Sequence, residues 1–414
     1  MANVLGKDIH QKFLDLESTQ RQRIFLGQQE EQGDSEQGSW SGCGWDGAII
    51  RNRYANVVPY EKNRVNLNVP EGTNDYINAS PITLRTTKSK TVLNYIATQG
   101  PKSDTVPHFW RMVWHETSPA VIIMLTRLWE SDREKCYPYY PRSLDAPDME
   151  INSNDEYGDG FVPNIRLVNL DDYEEDRTLV REMYMTLTTE NGSESRKIWH
   201  LQFGGWPDFL VPEGRDREAL LRLIEVSREK SNETPTNPRI IHCSAGVGRT
   251  GVFIALDWLL QELEEGSLDE VEDDNDPVMT LVDTLRQQRM MMVQGEAQLA
   301  FIYDVLREKW RERWIKLHPE KAERSGSTNS GPEEAERLGA TNSGLEEPAL
   351  HVAERINLNS GIFNYNKGPL QGSERLWYCG SCGDGPIGVW NPVCVTCGHK
   401  RDDCCTLSEL LLSK

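Results

Sequence analysis

The sequence predicts an α/β domain, then a tether, then a small cysteine-rich module. Three observations lead there. Short apolar runs of strand length, VIIML at 121–125 and RIIHC at 239–243, stand apart from helical stretches at 250–263 and 278–289. The composition changes abruptly after His318. Six of the nine cysteines fall at or after Cys379.

The elements follow in order. Residues 9–26 carry apolar side chains at Ile9, Phe13, Leu16, Ile24 and Phe25 with polar residues between, the pattern of an amphipathic helix. Residues 28–47, rich in Gln, Gly, Ser and Glu, read as a loop. The α/β pattern runs over 48–316, and residues 1–47 pack on it or lead into it. Within it, 264–276 holds eight acids and no base, and reads as a solvated loop between two helices. Next comes a tandem repeat of 13 residues, AERSGSTNSGPEE at 322–334 and AERLGATNSGLEE at 335–347, with ten identities. Its copies have almost no apolar face to stack, so 317–375 is expected to be a disordered linker. The last compact segment is 376–405.

Charge and hydropathy exclude several classes. Lys+Arg 45 against Asp+Glu 65 gives a net charge of −20. So acidic a chain is not expected to use nucleic acid as its main partner, although a local anion site remains open. The apolar run at 120–125 is far too short to span a membrane. The opening MANVLGKDIHQKF has no secretory apolar region, so the expected compartment is the reducing cytoplasm, with the nucleus as a second location. The cysteines are then not a disulfide framework.

The sharpest signal is HCSAGVGRTG at 242–251, between an apolar strand and a helix. A strand-to-helix turn of this kind aims backbone N–H groups and a helix dipole at one point, an anion pocket. Ser244, Ala245, Gly246, Val247 and Gly248 would form its cradle, with glycines that let the backbone curl closely. Arg249 can grip two oxygens of a phosphate, and the same field favours the thiolate nucleophile at Cys243. A buried cysteine in a glycine-rich turn is the bland alternative, and the strand, the helix and the full string argue against it.

This string resembles the signature of the tyrosine-specific, cysteine-dependent protein phosphatases. The likeness continues in order from about 52 to 306. Asn52-Arg53-Tyr54 with Val57, Pro59 and Tyr60 is similar to the family's phosphotyrosine-recognition loop. Residues 74–79, NDYINA, resemble one of its strands. Thr98-Gln99-Gly100-Pro101, Phe109-Trp110 and Val113-Trp114 match core segments, and Glu130 and Lys135 a supporting loop. Trp206-Pro207-Asp208 matches its mobile acid loop, and Gln294 and Gln298 its glutamine loop.

The resemblance implies a twisted mixed sheet flanked by helices and a catalytic domain over 48–316. It also implies a phosphotyrosine phosphatase that needs no cofactor for catalysis. Cys243 would attack phosphorus, Asp208 would serve as general acid and then base, and Arg249 would stabilise the transition state. Gln294 would hold the hydrolytic water, and Thr250 would help the thiolate leave. Tyr54 would form a rim deep enough to select phosphotyrosine, and Asn56 and Gln298 would bind substrate. His242, Glu130, Lys135 and Trp206 would support them, Glu130 by pairing with Arg249. Arg289 and Trp110 read as scaffold. The sequence departs from the family at Leu210, where many members have Gly, so loop closure is open. A catalytically silent phosphotyrosine-binding scaffold is the competing reading. Silent members lose the nucleophile or the acid, and this chain keeps Cys243, Arg249 and Asp208.

Near the end, Cys379-x2-Cys382 and Cys394-x2-Cys397 have zinc-ribbon spacing, two knuckles for one tetrahedral structural zinc. His399, Cys404 and Cys405 add further candidate ligands. The run resembles a cysteine-rich finger at the ends of many fungal proteins, which suggests a fungal member and an unknown protein partner for the module. The likeness to fungal phosphatases that switch off MAP kinases makes a signalling kinase one candidate substrate.

Overall fold

The structure, a computed structural model, describes residues 2–30, 40–42, 46–207, 210–231, 237–269, 276–319, 375–378, 387–388 and 406–409. The chain divides into two units, Met1–Tyr303 and Asp304–Lys414.

The helices are α1 (Ala2–Glu30), α2 (Asp46–Ile49), α3 (Val106–Glu116), α4 (Arg215–Ser231), α5 (Gly248–Glu264), α6 (Pro277–Gln288) and α7 (Glu296–Leu317). The first unit is built on strands β1 (Ala79–Arg85), β2 (Val92–Thr98), β3 (Ala120–Met124), β4 (Trp129–Glu130), β5 (Arg133–Glu134), β6 (Met149–Glu150), β7 (Asn164–Tyr173), β8 (Thr178–Thr189), β9 (Gly192–Phe203) and β10 (Arg239–His242). Eight of them form one mixed sheet in the order β1-β2-β10-β3-β9-β8-β7-β6. The four central strands are parallel, and the flanking pairs are antiparallel. Two of them, β3 and β10, are short and buried at every residue because both faces are covered. Ile122, Met124 and Ile240 pack with Phe109, Trp110 and Val113 of α3 in one core cluster. Val121, Ile123 and Ile241 alternate to the opposite face. This is the expected twisted mixed sheet flanked by helices.

Both short apolar runs are strands, and both expected helices are present as α5 and α6. The NDYINA segment differs from expectation: only Ala79 enters a strand. Its polar side chains are spent locally. Asn74 Oδ1 accepts the Tyr76 N–H at 2.9 Å, and Asn78 Nδ2 donates to Asn52 Oδ1 at 2.8 Å and Val57 O at 2.6 Å. The segment therefore braces the loop ahead of Tyr54.

Helix α1 is longer than its apolar pattern suggested, and the face it buries carries polar residues beside the apolar ones. Phe25 is 55% exposed, whereas Leu16, Glu17, Gln20 and Arg23 are buried. Arg23 binds both oxygens of Asp283 on α6, at 2.6 and 2.7 Å.

The acidic run after α5 is described only in part. Glu265 in it accepts from the Ser89 hydroxyl at 2.7 Å. In the second unit, β11 (Arg375–Tyr378) lies between β12 (Ile387–Gly388) and β13 (Thr406–Glu409) in an antiparallel sheet. The repeats and Cys379, Cys382, Cys394, Cys397, His399, Cys404 and Cys405 lie outside the described residues. No described helix is long and apolar enough to cross a membrane.

Candidate active site

β10 runs up the centre of the sheet and ends at His242, so Cys243 emerges at the carboxyl edge, where an open α/β sheet places its ligands. The next turn leads straight into α5. Four successive carbonyls of this turn are held from outside. Gly100 N–H binds Ser244 O at 2.9 Å, and Arg289 binds Ala245 O at 3.1 Å and Gly246 O at 2.9 Å. Val293 N–H binds Val247 O at 3.2 Å. A peptide N–H points opposite to its carbonyl, so the loop amides turn toward the space over Cys243. The Gly246 N–H already reaches Cys243 Sγ at 3.3 Å. Gly246 has φ +72, and a Cβ there would stand 2.0 Å from Thr98 O, so only glycine fits.

Arg289, read from sequence as scaffold, is fully buried and also binds Asn78 Oδ1 at 2.8 Å and Ser80 Oγ at 3.2 Å. Burial pushes its guanidinium down to about 10, so it stays charged at neutral pH behind an anion cradle.

Arg249 is aimed by Glu130. The Glu130 side chain is only 7% exposed and binds the guanidinium at two points, 2.7 and 2.8 Å. This is no surface ion pair. Glu130 also accepts from Thr126 Oγ1 at 2.9 Å and from the Arg127 N–H at 3.1 Å. It sits on the hairpin β4–β5, whose turn residues Ser131 and Asp132 both have positive φ, the geometry of a tight hairpin turn. Lys135 joins the site through its backbone, where its carbonyl accepts the Ser244 hydroxyl at 2.9 Å.

Tyr54 is half-buried, with its hydroxyl 2.8 Å from Ser244 Oγ, so it stands directly at the loop. Arg53 anchors that rim through Gly100 O at 3.0 Å and Pro101 O at 2.7 Å. Asn56 lies two residues on, partly exposed. Gln298 Oε1 accepts the Gln294 N–H at 3.0 Å, and both side chains lie over Gly248: a Cβ there would be 3.0 Å from Gln298 and 3.3 Å from Gln294. The Thr250 hydroxyl is fully buried and has no hydrogen-bond partner among the described residues. Trp206 is buried, and its indole N–H binds Leu210 O at 3.0 Å. That bond uses only the backbone of Leu210, whose side chain is 57% exposed. Asp208 lies outside the described residues.

Sequence reasoning missed a buried chain of hydrogen bonds behind the nucleophile. His242 Nδ1–H donates to Cys243 O at 3.0 Å, which leaves Nε2 to accept from Tyr139 OH at 2.7 Å. His200 Nε2–H then donates to the Tyr139 oxygen at 2.9 Å, and its Nδ1 accepts from Arg181 at 3.3 Å. One tautomer of each ring satisfies every bond. Burial pushes His242 down to about 4 and His200 well below its ordinary value, so both rings are neutral. Trp110, expected as scaffold, donates to Tyr139 O at 2.8 Å. No sequence signal connects these residues, which meet only through the sheet.

Comparison with known proteins agrees with this geometry. Residues 48–308, well over half the chain, match the protein-tyrosine phosphatase family. Tyrosine-protein phosphatase 2 of Schizosaccharomyces pombe is 36% identical over 62% of this chain and 33% of its own length. Tyrosine-protein phosphatase 1 of the same organism is 35% identical over 72% of this chain and 50% of its own. The chain thus spans a third to a half of these relatives. The solved catalytic domain of human protein tyrosine phosphatase non-receptor type 18 superposes with a TM-score of 0.57 at 27% identity, covering 73% of this chain and 96% of that one. The cradle around Cys243 therefore has its explanation in descent: the chain belongs to the protein-tyrosine phosphatase family.

Proposed function

We propose that this chain hydrolyses phosphotyrosine in proteins through a phosphocysteine on Cys243. One observation carries the reading: Cys243 Sγ lies beneath loop amides turned inward, beside an Arg249 fixed at two points by Glu130. A phosphoryl group fits that arrangement, with Arg249 and the amides on its equatorial oxygens. The Cys243 thiolate forms the S–P bond as the P–O bond to the tyrosyl oxygen breaks. Asp208 gives its carboxyl proton to that oxygen. Water then attacks phosphorus, held by Gln294, and its proton passes to the Asp208 carboxylate as the S–P bond breaks. The unpartnered Thr250 hydroxyl, buried at the start of α5, is available to stabilise the departing thiolate.

Substrate selection rests on Tyr54 at the loop. A rim of aromatic depth admits the long phosphotyrosine to Cys243 and leaves phosphoserine and phosphothreonine short. Gln298 and Asn56 would contact substrate at the same mouth. A signalling kinase as substrate, a cytoplasmic or nuclear location and a fungal source extend the likeness to the two fission-yeast relatives.

In the second unit, Cys379, Cys382, Cys394 and Cys397 would hold a structural zinc. Their thiolate donors suit zinc, and the strands border them: Tyr378, next to Cys379, pairs with Thr406, next to Cys405. This module would serve an unidentified protein partner.

Turnover of p-nitrophenyl phosphate without added metal tests the main reading. Cys243→Ser should abolish it. Asp208→Ala should lower kcat by roughly 10²–10⁴ with binding largely intact. Activity surviving Cys243→Ser would refute the phosphocysteine.

A further inference from the structure

Gln294 ends a segment whose backbone is strained. Met291 and Val293 have φ of 61° and 59°, a region side chains enter only where the surroundings hold them. Val293 also lies against α5 so closely that a Cβ on Gly251 would stand 2.4 Å from its nitrogen. The hold on this segment comes from α1, some 270 residues earlier in the chain.

Gln20 on α1 is fully buried. Its Oε1 accepts the Met291 N–H at 3.2 Å, and its Nε2 donates to Tyr60 OH at 2.8 Å. Glu17, one turn earlier, accepts from Arg286 Nη1 at 2.9 Å. Arg286 passes the hold on: its Nε donates to Met292 O at 3.0 Å and its Nη2 to Val293 O at 2.9 Å. Tyr60 OH closes the circuit on Arg286 O at 3.2 Å. Three consecutive residues before Gln294 are thus bound to α1, directly or through Arg286. Most of the phosphate cradle is held otherwise: Gly100 and Arg289 bind the carbonyls of residues 244–246, Glu130 binds Arg249, and Val247 O, which accepts the Val293 N–H, also accepts the Gly251 N–H of α5 at 2.9 Å.

We propose that Gln20 and Glu17 are positioning residues for hydrolysis of the phosphoenzyme, the second chemical step. They hold Met291–Val293 in the strained conformation that presents the Gln294 side chain to the attacking water. The inference rests on the reading of Gln294 given above. Because every cradle carbonyl keeps a donor outside the α1-held segment, loss of the α1 hold slows water attack and spares phosphocysteine formation.

The test is stopped-flow turnover of p-nitrophenyl phosphate by the full chain. Gln20→Met fills the same space and cannot accept the Met291 N–H. It should lower steady-state turnover five- to tenfold, raise the burst of p-nitrophenol toward one equivalent and leave the burst rate within twofold. Gln20→Glu, which keeps an acceptor oxygen, should restore at least half of the turnover. Glu17→Gln should show the same split more weakly, two- to threefold, and serves where Gln20→Met does not fold. Burst rate and turnover falling together in folded protein, or no change in either, would overturn the proposal. Gln294→Ala in the same assay separates the two readings. If it slows the second step and the α1 variants do not, the role of α1 falls alone. If it does not slow that step, the reading of Gln294 falls.

Discussion

Glu130 and Arg249 lie 119 residues apart and meet through two parallel hydrogen bonds, Oε1 at 2.7 Å and Oε2 at 2.8 Å. A fork held at both tines has one orientation, and here it points the guanidinium at the mouth of the Cys243 loop. Glu130→Ala removes both of these charge-assisted bonds and frees that orientation. The expected result is a fall in kcat/KM of about 10–100-fold on an aryl phosphate, with Cys243 still phosphorylated. Burial alone would push the Glu130 carboxyl up, but its bonds to Arg249 prevail and hold it below the usual carboxylate value. Its stabilising contribution is therefore complete above the ordinary carboxylate range and is lost as pH falls through the lowered value. Urea titrations at pH 3 and 6 should show a smaller pH difference in the variant than in the parent.

The two buried histidines predict a second pH dependence. His242 binds a proton at about 4 in the fold and near 6.5 when unfolded. Below 6.5 the unfolded chain therefore holds more protons, and stability falls with decreasing pH from there toward 4. His200 acts in the same sense. His242→Asn should reduce the slope of unfolding free energy against pH in that window by about one proton. Tyr139→Phe takes away the partner of Nε2 on both rings and should cost on the order of 1–3 kcal/mol for each group left bare. An unchanged melting temperature in Tyr139→Phe would contradict the chain of bonds drawn through its hydroxyl.

Peroxide should distinguish two buried cysteines. Cys136 is buried, its Sγ donates to Tyr137 O at 3.3 Å, and burial pushes its thiol far up. It is expected to stay a thiol at neutral pH and to react slowly. Cys243 sits beneath a cradle built for an anion and should be oxidised first, to the sulfenic acid. Inactivation by hydrogen peroxide should be reversed by millimolar thiol. Mass spectrometry should find early modification on the Cys243 peptide and none on that of Cys136.

The legible parts of this protein are those whose chemistry is local in the chain. HCSAGVGRTG carries strand, cradle and helix start within ten residues, so the nucleophile and Arg249 could be read directly. Glu130 could be named through the family likeness, but its burial could not. The support behind Cys243 was hidden, because His242 on β10 and His200 on β9 are joined only by the hydroxyl of Tyr139, which lies in the loop after β5. Helix α1 was found by its apolar spacing, and Leu16 is buried as that spacing implies, yet the same face also buries Glu17, Gln20 and Arg23. Periodicity looks for apolar faces and passes over a polar one whose partners are far along the chain. NDYINA failed for a related reason: its asparagines bond to loop atoms that no spacing rule reveals.

The last prediction concerns the C-terminal module. If its two CxxC knuckles bind zinc, the purified full chain should contain about one equivalent, and a chain ending at His318 should contain none. The repeats at 322–347 bear almost no apolar side chains. Every group assigned to phosphate chemistry or to positioning it lies between Glu17 and Gln298, ahead of these repeats. Removing residues 319–414 should therefore leave kcat/KM on p-nitrophenyl phosphate within twofold. Activity on a phosphoprotein is a separate quantity: a module that binds a partner raises its local concentration near Cys243 without touching the chemistry. A loss confined to protein substrates would assign the module to recruitment. A large loss on the small substrate would show instead that residues beyond His318 support the catalytic cradle itself.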